Sequence, residues 1–544
     1  MYLTFRKIAL TASIAGLLIL IAILVYTYNT AVYTASFDSR VFKAGLAGTV
    51  EVLDPASITQ QGEKLLASAM YEGLVYFDEK SSNIKPLLAK SWQYSRDGKT
   101  MTIKLKKSIV FHNQQPVTAS KVKEAWEKSF LNNKDESATG LFFSVQGAQE
   151  RLNDGHSPVG IEAVDDLTLK ISFAQPNSAF LYMLCNPIFW VYDAGQEKEG
   201  LPSGTGPFIL QNNQDNKKIL LTANPNYHRG SPVIPALEFV VFEDEETAWQ
   251  DYLKGDLDYL NAVPLAEIKN IKADQQLKKR FIEEPLLEIY ALGLNMNKEP
   301  FAGDYMLRRA INYGIDRSQI VEDVFADGYR TNKAIIPPEI KGYSSEMPGY
   351  IFDPAKAAQL LEEAGYPNGQ GLPVVNLSYN SDEGHQLAAE HIAQQLLPLG
   401  INLQLQPMHW DYFKKQIEQQ ALACFRIGWA ADYPDADSLL YGLFHSSMAG
   451  RGNYTGYHNP QVDKILDEAR AATKSNKERL ALLGKAESII IDDAPMVWLF
   501  QKKSAAIAGE QTRELKIDRL GMVDWHMVQL KKSETTAEKV SNNQ

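Results

Sequence analysis

Cysteine is almost missing from this 544-residue chain: only Cys185 and Cys424 occur, and neither stands in a metal or redox spacing. An oxidising compartment would allow them to pair, but two free buried thiols is the preferred reading. Histidine is sparse as well. The closest two of the nine, His385 and His391, are six residues apart, which puts them on different faces of a helix rather than on one metal-binding face. No Gly-x-Ser-x-Gly elbow, His-Glu-x-x-His pair or phosphate loop is present. Catalysis is therefore not expected, and neither a cofactor nor a metal is. The net charge of -11 comes with no basic stripe that would neutralise phosphates, which argues against a nucleic-acid partner. Repeats, low-complexity tracts and heptads are also lacking.

Long apolar runs are rare, with one exception. Ile8 to Val25 carries no charge and follows Arg6 and Lys7; the uncharged stretch continues to Phe37. This approaches the ~20 residues that span a bilayer. The flanking basic residues would leave the amino terminus in the cytoplasm and the remainder outside. No cysteine follows the run, so a lipid anchor is not expected. Cleavage near Ala31 or Ala35 and a single uncleaved anchor both remain open, with the anchor preferred. Either way the globular part is expected outside the cytoplasmic membrane.

What is there describes a globular α/β protein. Hydrophobic residues make up 45% and charged residues 22%, and the length calls for two or three domains. Helix signals alternate with strand signals. Strands are expected at Leu237 to Phe242, Leu286 to Leu294, Val374 to Tyr379 and Ile401 to Leu405. Asp353-Pro354, Asn459-Pro460 and Asp316 should open helices, the last ending near Gly328. The tail beyond Leu530 is expected to be disordered.

The most informative segment runs Arg426-Ile427-Gly428-Trp429-Ala430-Ala431-Asp432-Tyr433-Pro434-Asp435. It places a guanidinium and a carboxylate six residues apart with an indole between them. A free peptide carries an ammonium, a carboxylate and apolar side chains. Asp432 suits the first, Arg426 the second, and Trp429 offers a flat wall. On a straight strand Arg426 and Asp432 would face the same way, roughly 20 Å apart. That separation suits a peptide of about five residues, and a shorter one would need a bend. The bland alternative is a surface Arg and a loop Asp flanking a core Trp.

Elsewhere, Ala89-Lys90-Ser91-Trp92 leads to an Asp97-Gly98 turn and an alternating Met101, Ile103, Leu105 run. Pro116-Val117-Thr118 then caps a helix bearing Val122 and Trp126. Further landmarks are Gly204-Thr205-Gly206-Pro207-Phe208, Asn224-Pro225-Asn226-Tyr227, Asn295, Arg308-Arg309-Ala310, Ile315-Asp316-Arg317 and Asp353-Pro354-Ala355-Lys356-Ala357. In this order, from about residue 45 to 515, the chain resembles the oligopeptide- and dipeptide-binding proteins of bacterial ABC importers, solute-binding protein family 5. Gly428, Trp429 and Asp432 match the family's Gly-Trp-x-x-Asp-Tyr pattern. Ala436 departs from it, since many relatives carry Pro there.

The resemblance implies a two-lobe periplasmic-binding-protein fold, type II-like, with an extra third domain. Expected boundaries are a signal or anchor at 1–40, lobe I at 41–80, 200–285 and 495–530, the extra domain at 81–199, lobe II at 286–494, and a tail at 531–544. It implies a monomer that captures short peptides and passes them to an ABC permease in the cytoplasmic membrane. Ligand backbone would pair with the edge around Ile427 to Ala431, including Gly428 and Ala430, and with a second edge at Thr59, Gln60 and Gln61. Asp432 would hold the amino group. Arg426 matches the cation that meets short peptides' carboxylates, and His385 one that meets longer peptides. A Lys used by some relatives is replaced at about Phe325. Trp410 and Trp429, nineteen residues apart and expected on adjacent strands, match two indoles lining side-chain pockets. Other ligands of the family (murein peptide, nickel complex, sugar) remain open, as does an anchored peptide receptor or chaperone without a permease.

Overall fold

The computed structural model describes residues 40–531, apart from 49, 51–53, 56, 59, 134–135, 199–200 and 215. The expected signal or anchor segment and the tail from residue 532 lie outside the described residues. Among the described residues no helix is long and apolar enough to cross a membrane.

Two mixed sheets organise the molecule. The first has seven strands, in the order Phe208–Gln214, Lys218–Ala223, Ala236–Phe242, Phe42–Ala47, Tyr259–Leu260, Ala506–Ala508 and Phe281–Ile282. Its strands come from three separate stretches of chain, 42–47, 208–282 and 506–508. The second has six, in the order Tyr329–Thr331, Met496–Lys503, Pro285–Leu294, Cys424–Ala430, Val375–Asn380 and Leu403–Met408. One expectation fails here. Residues 496–503 belong to the second sheet, pairing antiparallel with Pro285–Leu294, so the last return to lobe I comes after Lys503 and not at 495. The physical reason is burial: Met496 to Gln501 are all buried, as an inner strand of that sheet requires.

The chain crosses between the sheets twice, at Glu283–Glu284 and at Ser504–Ala505, and the crossings are tied to each other. Ser504 N–H donates to the Glu284 carbonyl at 2.8 Å, and Glu284 N–H donates to Ser504 Oγ at 2.9 Å. Lys503 pairs with Glu283 at 3.1 Å. Two short adjacent connections are what a hinge between lobes needs.

A third unit carries a four-stranded antiparallel sheet, Ala89–Tyr94, Thr100–Leu105, Thr168–Ser172 and Ile161–Asp165. Asp97-Gly98 makes its first turn, with Gly98 at φ 72°. Helix Ala119–Asn132 is capped by Thr118 Oγ1, and its Val122 and Trp126 are fully buried. Around them gathers an apolar core drawn from residues 74 to 191, joined by the distant Tyr433, with Leu520 packed against it. Both cysteines are free and buried.

The other expected helices form with the caps the sequence supplies. Asp353 caps Pro354–Glu363, Asn459 caps Pro460–Ala471, and Asp316 caps Arg317–Asp323. The last is shorter than expected because Ala326 and Asp327 take positive φ and turn the chain before Gly328. Two family landmarks prove to be internal struts. Arg308 donates to the Phe301 and Asp493 carbonyls at 2.7 Å each, and Arg317 to the carbonyls of Asn312 and Ile315 at 3.0 and 3.1 Å.

One buried acid in lobe II lacks a cationic partner among the described residues. Glu487, 1% exposed, accepts from the N–H groups of Ile335 and Ile336 at 3.0 and 2.8 Å through one oxygen, while its other oxygen is unpartnered. Burial pushes its carboxyl up to about 7. A raised folded-state value means the folded protein holds a proton that the unfolded chain releases. Stability should therefore fall as pH rises through the window from ~4.5 to ~7, by up to about 3 kcal/mol. Glu487→Gln keeps both N–H contacts and removes the charge. It should match the parent near pH 4.5 and exceed it by that amount at pH 8 in denaturant titrations; a constant difference across the window would contradict this.

Candidate ligand site

The strand Cys424–Ala430 holds the centre of the site because its two edges are unequal. Along one edge every residue from Cys424 to Ala430 is in register with Pro285–Leu294, and Ala431 N–H adds a bond to the Leu287 carbonyl at 2.7 Å. Antiparallel residues turn their N–H and C=O alternately to the two sides. Residues 425, 427, 429 and 431 therefore face that partner, while Gly428 and Ala430 face away. On the far side the parallel strand Val375–Asn380 pairs only with Cys424 and Phe425. Gly428 and Ala430 thus turn their backbone groups to an edge with no strand partner among the described residues, and both are exposed.

Gly428 has a local reason to be glycine. A Cβ there would lie 2.6 Å from an Arg426 guanidinium nitrogen. The guanidinium folds back over the same face, 4.8 Å from the centre of the Tyr290 ring and 3.3 Å from Asn380 Oδ1. Its Nε is buried without a hydrogen-bond partner. His385 packs on the same tyrosine, with ring centres 5.5 Å apart. The two cations expected to serve different peptide lengths therefore share one cluster. His385 lies in the first turn of Glu383–Leu396, and its side chain is 15% exposed. Burial, and then the neighbouring Arg426, push its imidazole down to about 4. At neutral pH its ring is uncharged.

At the other end of the strand three acids follow within six residues, and Asp435 and Asp437 form buried ion pairs. Asp435 forms a bidentate pair with Arg479, both side chains nearly sealed from solvent. Asp437 pairs with Arg470 at 2.8 Å and accepts from the Tyr433 hydroxyl at 2.7 Å. Burial pushes the Asp437 carboxyl up, but Arg470 beside it outweighs that and holds it low. Asp432 sits half-buried on the wall of a 560 Å³ cavity between the third unit and lobe II. Its backbone is pinned from both sides: Ser438 Oγ accepts from its N–H at 2.9 Å, and Asn186 Nδ2 donates to its carbonyl at 2.9 Å.

Three expectations need correction. Trp429 is not an exposed wall beside the strand edge. The period of two places it with Phe425 and Ile427 on the buried face, 8% exposed, against Gly442 and Gly452. It backs the cavity through Gly442 and does not line it. Trp410 is not on a strand next to Trp429. It begins helix Trp410–Glu418, is 50% exposed, and its preceding strand is separated from Cys424–Ala430 by Val375–Asn380. Gln60 and Gln61 do not form a second strand edge. Gln60 is extended but caps helix Gln61–Ala67, with Glu63 completing a capping box, and Gln61 Nε2 donates to the Gly521 carbonyl at 2.8 Å. Thr59 lies outside the described residues.

Sequence reasoning missed the two buried Asp–Arg pairs and Asn186. The signal for the pairs was present: acids at 435 and 437 open an otherwise apolar helix, Ala436–Phe444, and buried acids require partners. Nothing local marks Asn186. Among the described residues no group of three or more metal-ligating side chains is gathered.

The chain matches the model of bacterial extracellular solute-binding proteins, family 5, over residues 83–451, and it belongs to that family. Heme-binding protein A of Haemophilus influenzae is 28% identical over 461 residues, which cover 79% of this chain and 81% of that protein. The dipeptide-binding protein of Escherichia coli is 25% identical over 509 residues, covering 90% and 94%. Among solved structures, the Escherichia coli murein tripeptide binding protein MppA aligns with a TM-score of 0.73 and 25% identity over 92% of this chain and all of its own. Haemophilus influenzae OppA in complex with the peptide RPPGFSPFR aligns at 0.71 and 25%, over 91% and 100%. The α/β solute-binding fold with mixed sheets is shared with these relatives.

Arg426 lowers the His385 titration through space, so Arg426→Met should raise it. Imidazole NMR of the parent should show His385 titrating near 4 and the variant clearly higher. An unchanged midpoint would remove Arg426 from the cluster's electrostatics.

Proposed function

We propose that this protein is an extracytoplasmic receptor for short peptides that delivers them to an ABC importer. The observation that carries the reading is the open edge at Gly428 and Ala430, which runs toward the Asp432 carboxylate on a pinned loop. A peptide laid along that edge exchanges backbone hydrogen bonds with the protein, which gives affinity indifferent to side chains. Its ammonium falls to Asp432, and Arg426, free of any ion pair among the described residues, stands at the end of the strand toward which a carboxylate would point. The exposed indole of Trp410 supports a role as a contact for ligand side chains, whereas Trp429 supports the floor. Relatives named for dipeptides and oligopeptides agree with this ligand class. The permease partner, the monomeric state and the extracytoplasmic location rest on the family.

Removing one member of an enclosed ion pair costs ~3–5 kcal/mol, a ~100-fold or greater loss of affinity. Calorimetry with tripeptides should show that loss on Asp432→Asn, and a comparable loss for the parent when the peptide is amino-acetylated. Equal affinity for free and acetylated peptides would refute the ammonium contact.

A further inference from the structure

The third unit is fastened to lobe I. Its Ala125, Trp190 and Tyr192 lie in the same buried core as Phe42, Phe208 and Phe239 of the seven-stranded sheet, and Val191 N–H donates to the Glu72 carbonyl at 2.8 Å. Lobe II is joined to these bodies through the chain at the two crossings, Glu283–Glu284 and Ser504–Ala505. A rotation about the crossings therefore carries lobe II away from the third unit as well as from lobe I.

Three contacts would break in such a rotation. The first is a helix cap supplied by the other body. The last carbonyls of a helix lack partners in its own ladder. At the end of Pro460–Ala471, Ser178 N–H donates to the Arg470 carbonyl at 2.8 Å, and Ser178 Oγ donates to the Ala469 carbonyl at 3.1 Å. The second is Asn186 Nδ2 on the Asp432 carbonyl at 2.9 Å; Asn186 Oδ1 stays within the third unit and accepts from Ile188 N–H at 3.0 Å. The third is apolar: Tyr433, 2% exposed, reaches from lobe II into the third unit's core. Arg470 links the first contact to the third, because its guanidinium holds Asp437, which accepts from the Tyr433 hydroxyl. None of the three uses the Asp432 carboxylate or the edge at Gly428 and Ala430.

We infer that the third unit is the latch of the cleft: Ser178, Asn186 and the socket for Tyr433 hold lobe II shut through contacts that the ligand does not supply. The latch sets how long a filled cleft stays closed. It does so whatever the ligand, so the inference does not depend on that ligand being a peptide.

Hydrogen exchange at the Ser178 amide reads the latch, because its acceptor stands on lobe II. The Phe173 amide, bonded to the Lys99 carbonyl at 2.9 Å inside the third unit, is the control. In the parent protein without added ligand, Ser178 should be protected, but at least about tenfold less than Phe173, since opening the cleft requires no unfolding. Asn186→Asp keeps the oxygen that accepts from Ile188 and sets its other oxygen against the Asp432 carbonyl. One hydrogen bond corresponds to about a fivefold change in an equilibrium, so Ser178 should exchange about fivefold faster or more, with Phe173 unchanged. Tyr433→Ala empties the socket and should speed Ser178 by at least about tenfold. A Ser178 amide that is unprotected in the parent, or as protected as Phe173, would overturn the inference without any variant. So would a Ser178 rate that the variants leave unmoved, or that rises only in step with Phe173. None of these outcomes bears on the ammonium contact, which the acetylated peptide tests separately.

Discussion

One unequal strand governs the site. Cys424–Ala430 is saturated along the edge facing Pro285–Leu294 and open at Gly428 and Ala430 on the other. Backbone N–H and C=O groups seek partners, and a cleft that closes over them gains from a ligand that supplies its own backbone. The neighbours follow from that constraint. A side chain at residue 428 would displace the Arg426 guanidinium that folds over it. Residue 429 must be apolar because it faces the core.

The loop after the strand holds Asp432 in a fixed place beyond the open edge. Burying Asp435 with Arg479 and Asp437 with Arg470 contributes little net stability, since desolvation offsets most of the attraction. What the pairs supply is position. With Tyr433 inserted in the third unit's core and bonded to Asp437, the backbone of Asp432 is fixed relative to the strand. Asn186 reaches the same backbone from the third unit. The third unit therefore contacts the Asp432 loop through Asn186 and through the core that takes in Tyr433.

Much of the fold was legible where local chemistry decides. The strands at Leu237, Leu286 and Val374 formed within a residue or two, and Asp353, Asn459 and Thr118 cap the helices they announce. The failures have a common cause, the dominance of distant partners over local pattern. Residues 496–503 carry no mark of which lobe they serve; their partner, Pro285–Leu294, decides. Gln60 and Gln61 look extended by analogy, yet Glu63 three residues on from Gln60 writes a capping box. Trp429 was assigned to a pocket from its matched motif, although strict alternation along the strand already placed it inward. His385 could not be read as uncharged, because its surroundings come from residues 290 and 426.

The central claim is that a ligand strand pairs with the edge at Gly428 and Ala430. Amide hydrogen exchange at these two residues, followed by NMR with and without a saturating free-amine tripeptide, tests it most directly. The account expects both amides to exchange rapidly in the free protein and to become strongly protected in the complex. Binding that leaves Gly428 and Ala430 as fast as before would contradict it.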